Sequence, residues 1–132
     1  MTDAYGAQFV ELVDGRCIIF SSATGTTNLD EIKWLSDTVV SYATPWHKSG
    51  WAYIADCSQM DPVTPSEGSE LALMTRRFVE SGCKAVAFVD GDSIMLKVQA
   101  QKNTQHSETG VLEGHFYKRE DALSWLKETV NL

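Results

Sequence analysis

Residues 52–68 constrain the fold more than any other part of the chain, because a strand pattern gives way there to a helix start within a few positions. A buried strand is indicated by the apolar run AYIADC. The helix start follows, since Thr64 can cap a helix, Pro65 suits the first helical position and Glu67 completes a capping box with Thr64. A strand that leads directly into a helix is the repeating unit of an α/β fold.

The rest of the chain repeats this alternation of strand-like and helix-like periods. We predict the order β-β-α-β-α-β-α-β-α, with a tight turn at Asp14 and Gly15 joining the first two strands. Strands separated by helices are most simply parallel with right-handed crossovers. The expected fold is therefore a mixed, mostly parallel five-stranded sheet with an N-terminal β-hairpin and about four helices, in one domain spanning residues 1–132. The predicted strands are 7–13, 16–21, 51–57, 84–90 and 115–117.

Two further helix starts are indicated by local pattern. One helix begins after Asn28, with Glu31 as the second member of a capping box, and it ends at Pro45. Another begins near residue 92 or 93 and presents three apolar positions, which are Ile94, Met95 and Val98.

The net charge of −7 is unevenly distributed, since residues 1–70 carry 3 basic and 10 acidic side chains while residues 71–132 carry 8 of each. Binding to nucleic acid or to an anionic membrane surface needs a basic face, so both are disfavoured, whereas a basic protein partner fits the charge. No run approaches the roughly 18 to 20 apolar residues of a membrane span. The first residues lack the basic start and apolar centre of a signal peptide, so we expect a cytoplasmic location.

The cysteines indicate free thiols, because they are odd in number and lie in apolar, strand-like runs: Cys17, Cys57 and Cys83. The three histidines are too scattered to form a zinc signature with them. The chain also lacks a nucleophile elbow, a phosphate-binding glycine loop and an ordered serine, histidine and aspartate triad. We therefore expect no metal, no cofactor and no enzymatic activity, with acid and base work by the clustered carboxylates as the alternative.

A candidate binding site is expected where the carboxyl ends of parallel strands meet helix N-termini. Two loops should lie side by side there, one spanning residues 56–67 and the other residues 90–93. The alternative is that their polar side chains only cap helices and hold turns. The candidate partner- or ligand-binding residues are Asp56, Ser58, Thr64, Ser66, Asp90, Asp92 and Ser93.

The element order and the segment DCSQMDPVTPSEG resemble the STAS fold of bacterial anti-sigma-factor antagonists, and more closely the STAS-like group related to the lipid-binding Sec14 fold. Asp56 and Ser58 match the start of the family pattern at the third strand, and Met60 and Val63 match its apolar spacer. The C-terminal segment GHFYKREDALSWL is similar to the ending common in the STAS-like group. The resemblance spans nearly the whole chain and implies a regulatory domain.

The family pattern continues with Asp-Ser-Ser-Gly at the start of the next helix, and this chain departs from it. Thr64 replaces the aspartate, and Pro65 stands where the family has its phosphorylated serine. Because proline has no hydroxyl group, the phosphorylation switch cannot operate at that position. Ser66 matches the second serine and is the candidate phosphoacceptor, since a phosphate in a first helical turn is stabilised by the helix dipole.

Two functions of different classes remain open. The favoured one is a regulatory module that docks a protein partner, or a second copy of itself, through the 56–67 loop and the helix after it. The alternative is a carrier of a small apolar molecule or lipid, as the Sec14 side of the resemblance implies. A deep apolar cavity would favour the carrier, whereas a closed core with an exposed apolar patch would favour the interaction module.

Overall fold

The structure, a computed structural model, describes all residues 1–132. The elements follow in the order β1 (Thr2–Tyr5), β2 (Gln8–Leu12), β3 (Ile18–Gly25), α1 (Leu29–Ala43), β4 (Trp51–Met60), α2 (Pro65–Glu80), β5 (Cys83–Val89), α3 (Ile94–His106), β6 (Leu112–Phe116) and α4 (Arg119–Val130). A short 3-10 helix that contains Pro45 follows α1 at Thr44–Trp46, so the first helix ends where proline was expected to end it.

All six strands form one sheet in the spatial order β1-β2-β3-β4-β5-β6. The pairs β1–β2 and β2–β3 are antiparallel, and the three pairs from β3 to β6 are parallel. The predicted α/β fold, with a mixed sheet that begins in an N-terminal hairpin, is confirmed.

Strand β1 is the one strand absent from the predicted order. All four of its residues are exposed, so no alternation of apolar and polar residues marks it in the sequence. It pairs with β2 and also contacts α1, where Tyr5 stacks on Trp34 with ring centroids 5.6 Å apart and the Tyr42 hydroxyl donates a hydrogen bond to Asp3. These partners are distant in the sequence, and local periodicity therefore cannot reveal the strand.

Helices α1, α2 and α3 pack side by side on one face of the sheet, and α4 packs on the other face against β4, β5 and β6. The three-helix face has its core around Phe78, whose ring meets those of Trp51 and Tyr53 edge-on at centroid distances of 5.6 and 4.9 Å. On the opposite face, Ala122 and Leu126 are fully buried against the sheet. Because the three crossovers advance in one direction on one face, they share one hand, as the right-handed rule requires.

Helices α1, α2 and α3 begin with side-chain caps that follow local chemistry, whereas α4 begins after Lys118 without one. Thr64 and Glu67 form the predicted capping box of α2. At α1, the Asn28 side chain accepts a hydrogen bond from the Glu31 amide, but the Glu31 carboxylate does not return to the Asn28 backbone. That carboxylate is buried and accepts from the Thr27 hydroxyl and the Asn28 side-chain amide instead. The predicted second capping box is therefore wrong, because tertiary burial gives the carboxylate other partners.

Three strands extend several residues beyond their predicted bounds, and the first of them, β3, ends at Gly25 instead of Ser21. Strand β4 continues through Ser58 to Met60, since β3 runs on to Gly25 and pairs with it after a register shift between Ser22 and Thr24. Strand β6 begins at Leu112 because it pairs in parallel with β5 from Ala85 onward. For β4 and β6, the neighbouring strand supplies hydrogen bonds to residues whose own sequence pattern is not strand-like.

The apolar face predicted for α3 points to solvent. Ile94, Met95 and Val98 are exposed, whereas the buried residues of this helix are Leu96, Ala100 and Thr104. Helix α3 has apolar residues on both its outward and its inward sides, so periodicity alone does not decide which side is buried.

The cysteines are free thiols, with Cys83 buried and Cys17 and Cys57 partly buried. Trp46 is partly buried and packs against the core of the three-helix face. None of the four α-helices combines the length and the hydropathy that crossing a membrane would take.

Candidate functional site

The two loops expected to form a site do lie side by side at the carboxyl ends of β4 and β5. Asp56 pairs in register with Val89, so the end of β4 runs beside the turn that follows β5. A Cβ placed on Gly91 would lie 3.3 Å from the Cβ of Ser58. The Cys57 sulfur donates a long hydrogen bond to Asp90 Oδ1, at 3.9 Å. Sequence order and sheet topology therefore suffice to place this edge.

Asp56 and Ser58 satisfy each other within β4 instead of lying in a loop. Asp56 Oδ1 accepts hydrogen bonds from the Ser58 backbone N–H at 3.0 Å and from the Ser58 hydroxyl at 2.6 Å. The loop proper is reduced to residues 61–64. The two side chains therefore stabilise the local backbone, which is the structural alternative stated for them in the sequence analysis.

The remaining candidates divide into caps and exposed side chains. Thr64 Oγ1 accepts from the Glu67 amide at 3.2 Å, and Ser93 Oγ accepts from the Leu96 amide at 3.1 Å. Ser66 is exposed at the second position of α2, and Asp92 is exposed just before α3. Thr64 and Ser93 therefore hold helix ends, and Ser66 and Asp92 are accessible to a partner.

A buried charged cluster, formed by Asp90, Glu113 and His115, lies at the same edge. His115 Nδ1 is 2.6 Å from Asp90 Oδ2, and His115 Nε2 bonds to Glu113 Oε2. The imidazole also stacks on Phe88, with a centroid distance of 5.2 Å. Sequence reasoning missed Glu113 and His115, which are far from Asp90 along the chain. The signal that could have found them is the parallel register of β5 and β6, which puts His115 opposite Phe88.

Two groups in this region have strongly shifted acidity. Burial lowers the pKa of His115, but its hydrogen bonds to Asp90 and Glu113 and their negative charges outweigh that effect and raise the pKa to about 9. Burial and the neighbouring Asp90 and Asp56 carboxylates raise the pKa of the Cys57 thiol to about 12. At neutral pH the imidazole is protonated and bonded at both nitrogens, and Cys57 is a neutral thiol. The thiol is therefore not activated as a nucleophile, and both nitrogens of the imidazole are engaged by carboxylates.

A small apolar cavity lies between the sheet and α1, α2 and α3. Its volume is about 80 Å³, and its walls are mainly hydrophobic, with Asp56 and Gln99 among the polar side chains that line it. An apolar cavity of about 150 Å³ admits benzene, and sites for larger ligands have volumes of about 300 to 1,000 Å³. The cavity is therefore too small for a lipid chain.

Comparison with known proteins yields a structural likeness alone. No family model matches the chain, and no curated protein does. Among solved structures, a similar one is the crystal structure of an uncharacterized protein of the DUF3478 family with a SpoIIAA-like fold, from Shewanella loihica PV-4. The two share 19% sequence identity with a TM-score of 0.65, over 94% of this chain and 96% of that chain. The chain thus has a SpoIIAA-like fold, which is the STAS-like fold that the residue pattern predicted.

Proposed function

We propose that this chain is a non-catalytic, cytoplasmic regulatory domain that docks a protein partner or a second copy of itself. The docking face consists of the loop at residues 61–64 and the exposed side of α2, which we call the α2 face. The single observation that carries the proposal is a nearly closed core next to helices that leave large apolar side chains in solvent. Leu73, midway along α2, is 56% exposed. The other large apolar side chains that the helices leave in solvent are Leu29 on α1 and three residues of α3, which are Ile94, Met95 and Val98. Contiguous exposed apolar patches mark interaction sites.

The α2 face is made accessible by its position on the helix. Ser66, Ser69, Leu73 and Arg76 are all exposed and recur every three or four residues, so they form one row along α2. Met74 and Phe78, on the other side of the helix, are buried in the core. A partner can therefore contact this row without disturbing the core of the fold.

The site chemistry supports a binding role over a catalytic one. The Ser58 hydroxyl is engaged by Asp56, and both His115 nitrogens are engaged by carboxylates. This edge has no thiol with a lowered pKa, and it has no available base that faces a nucleophile. The carrier alternative draws no support from a cavity of about 80 Å³.

By the STAS-like resemblance, Pro65 takes the position of the phosphorylated serine, and proline has no hydroxyl group to accept a phosphate. Ser66 is the neighbouring hydroxyl and is exposed at the N-terminal turn of α2. If it is the phosphoacceptor, phosphopeptide mapping of protein from its native cells will find it modified in at least one growth state. Ser66 without modification under every growth state would contradict this assignment.

The first experiment is native mass spectrometry of the untagged protein recovered gently from its own cells. We expect a stoichiometric complex with another protein, or a homodimer. A monomer that carries a fixed extra mass of a few hundred daltons would instead identify a carrier, and a bare monomer would contradict the interaction role.

Matched surface variants locate the contact. Leu73→Glu places a charge in the α2 face and should abolish or strongly reduce the complex, because burying an unpaired charge is costly. Glu128→Lys alters an exposed residue of α4 on the opposite face of the sheet and should leave the complex intact. Docking through α2 would be contradicted if both variants reduced the complex equally, or if neither variant reduced it.

A further inference from the structure

The outward side of α3 carries an apolar stripe that the fold does not use. Ile94 and Val98 are four residues apart and therefore adjacent on the helix surface, and Met95 flanks them. Their exposed fractions are 79% for Ile94, 59% for Met95 and 43% for Val98. We call these three residues the α3 stripe.

Both ends of the stripe lead into other exposed surface. On one side, Ile94 and the 63% exposed Tyr117 line a shallow groove between the start of α3 and the end of β6. On the other side, Met95 lies one turn before Gln99, whose side chain accepts a hydrogen bond from the Val63 backbone N–H at 3.3 Å. The α3 stripe is therefore continuous with the loop at residues 61–64.

The charges beside the stripe are basic, in a chain whose net charge is −7. Helix α3 contains Lys97 and Lys102 but no carboxylate, and both lysines are exposed. Lys97 lies beside the stripe, about 60° around the helix from Ile94, and Lys102 lies in line with the stripe, one turn after Val98. Asp92, just before the helix, is the one exposed carboxylate at the rim of the groove.

This arrangement selects among the possible occupants. A symmetric pairing of two α3 helices would bring lysines of two copies together with no acidic residue of α3 to neutralise them. An anionic membrane surface is recognised by clusters of about 4 to 8 basic residues, and the acidic body of the protein would be repelled from it. An apolar stripe with Lys97 at its side and Lys102 at its C-terminal end is complementary to an amphipathic helix that carries acidic residues beside its apolar face.

We propose that α3 is the docking site for an acidic amphipathic helix of a partner protein. The partner places its apolar side chains on the α3 stripe and its carboxylates beside Lys97 and Lys102. This inference rests on the proposed function and names the chemistry of the partner, with the acidic helix spanning from α3 toward the α2 face.

The test uses two synthetic helical peptides that share one leucine stripe, with glutamate flanks in one peptide and lysine flanks in the other. Each is titrated into the isotope-labelled full chain and followed by amide chemical shifts. We expect the glutamate peptide to shift the signals of residues 94–102 and to bind at least about tenfold tighter than the lysine peptide. The double variant Lys97→Glu and Lys102→Glu should reverse this preference, whereas Lys127→Glu on α4 should not.

Several outcomes would overturn the inference. These are equal binding of the two peptides, shifts that map away from α3, no binding of the glutamate peptide, or tighter binding to phosphatidylglycerol vesicles than to it. The contribution of the apolar contacts is tested by the double variant Ile94→Ser and Val98→Ser, which should weaken binding of the glutamate peptide at least about tenfold. A native complex that persists in this variant but is lost in Leu73→Glu would leave the regulatory function standing and remove α3 from it.

Discussion

At the scale of single residues, the most informative group is His115. It is held between Asp90 and Glu113, at the end of the sheet where the candidate loops meet. All three side chains are largely buried. An imidazolium between two carboxylates is a paired buried charge. Removal of one partner leaves the remaining charges buried and uncompensated, at the full cost of desolvation. The cluster therefore ties β6, the last strand of the sheet, to the end of β5.

The raised pKa of His115 predicts a pH dependence of stability. Because the folded pKa is about 9 and the ordinary value is 6.5, protonation of His115 stabilises the fold fully below about pH 6.5. This contribution is lost as the pH rises through about 9. We expect the urea midpoint of the wild-type protein to fall across this window more steeply than that of His115→Gln.

Comparing the wild-type protein with a variant cancels the contributions of other groups that titrate in the same pH range. The Cys57 and Cys83 thiols also have pKa values raised to about 12 by burial, and they contribute to both proteins above about pH 9. Glu113→Gln serves as a second variant that keeps the Asp90 contact, and it should show an intermediate slope. Parallel pH profiles for wild type and His115→Gln would show that the cluster does not hold a proton.

At the scale of elements, α2 shows how local chemistry sets a helix boundary. Its N-terminus has a reciprocal capping box and a proline at the first position. Its C-terminus is followed by Gly82 at φ +100°, where a Cβ would lie 2.5 Å from the His47 carbonyl oxygen. Both ends of α2 are thus specified by local chemistry, and the exposed Ser66 lies in its capped first turn.

Removal of the cap should destabilise the protein measurably. Thr64→Ala leaves the Glu67 amide without its side-chain acceptor, and we expect a loss of about 0.5 to 2 kcal/mol in the free energy of unfolding. Urea denaturation followed by circular dichroism measures this loss. Ser69→Ala, at an exposed position inside the same helix, is the control and should change stability by less than about 0.5 kcal/mol. An equal effect of the two substitutions would contradict the capping role.

At the scale of the whole molecule, the division of apolar surface between core and solvent is what favours one proposed function over the other. The sheet is covered by three helices on one face and one on the other, and the apolar cavity beneath the three helices has a volume of about 80 Å³. Of the large apolar side chains left in solvent, three lie on α3 and one on α2, and the others are spread over the N-terminal segment, the start of α1 and the region of β6. This distribution favours contact with another macromolecule over enclosure of a small one.

The closed core predicts that the protein does not take up a fatty acid. A ligand that binds only the folded state raises the unfolding temperature as its concentration increases. We expect no change in the melting temperature when palmitate is added below its critical micelle concentration. Met74→Ala, which removes a side chain from the cavity wall, should lower stability by about 2 to 5 kcal/mol. A saturable rise in the melting temperature of the wild-type protein would revive the carrier function.

Much of the fold can be predicted from sequence because it depends on near neighbours. The cap at Thr64, the cap at Ser93 and the strand-to-helix alternation all arise from hydrogen bonds and side-chain periods within a few residues. The positions of the two loops follow from them, because parallel strands must end at a common edge. The sequence by itself therefore determined the α/β class and the place of the candidate site.

The tertiary structure alone decided the features that depend on distant partners. Strand β1 exists because β2 and α1 offer it contacts, and β4 reaches Met60 because β3 continues beside it. The same holds for Glu31, whose carboxylate is buried. It also holds for His115 on β6, which bonds to Asp90 at the end of the neighbouring strand β5. The outward facing of Ile94 and Val98 is also set by packing. Burial and long-range pairing are properties of the assembled chain, and no local pattern encodes which of several apolar positions the assembled fold will cover.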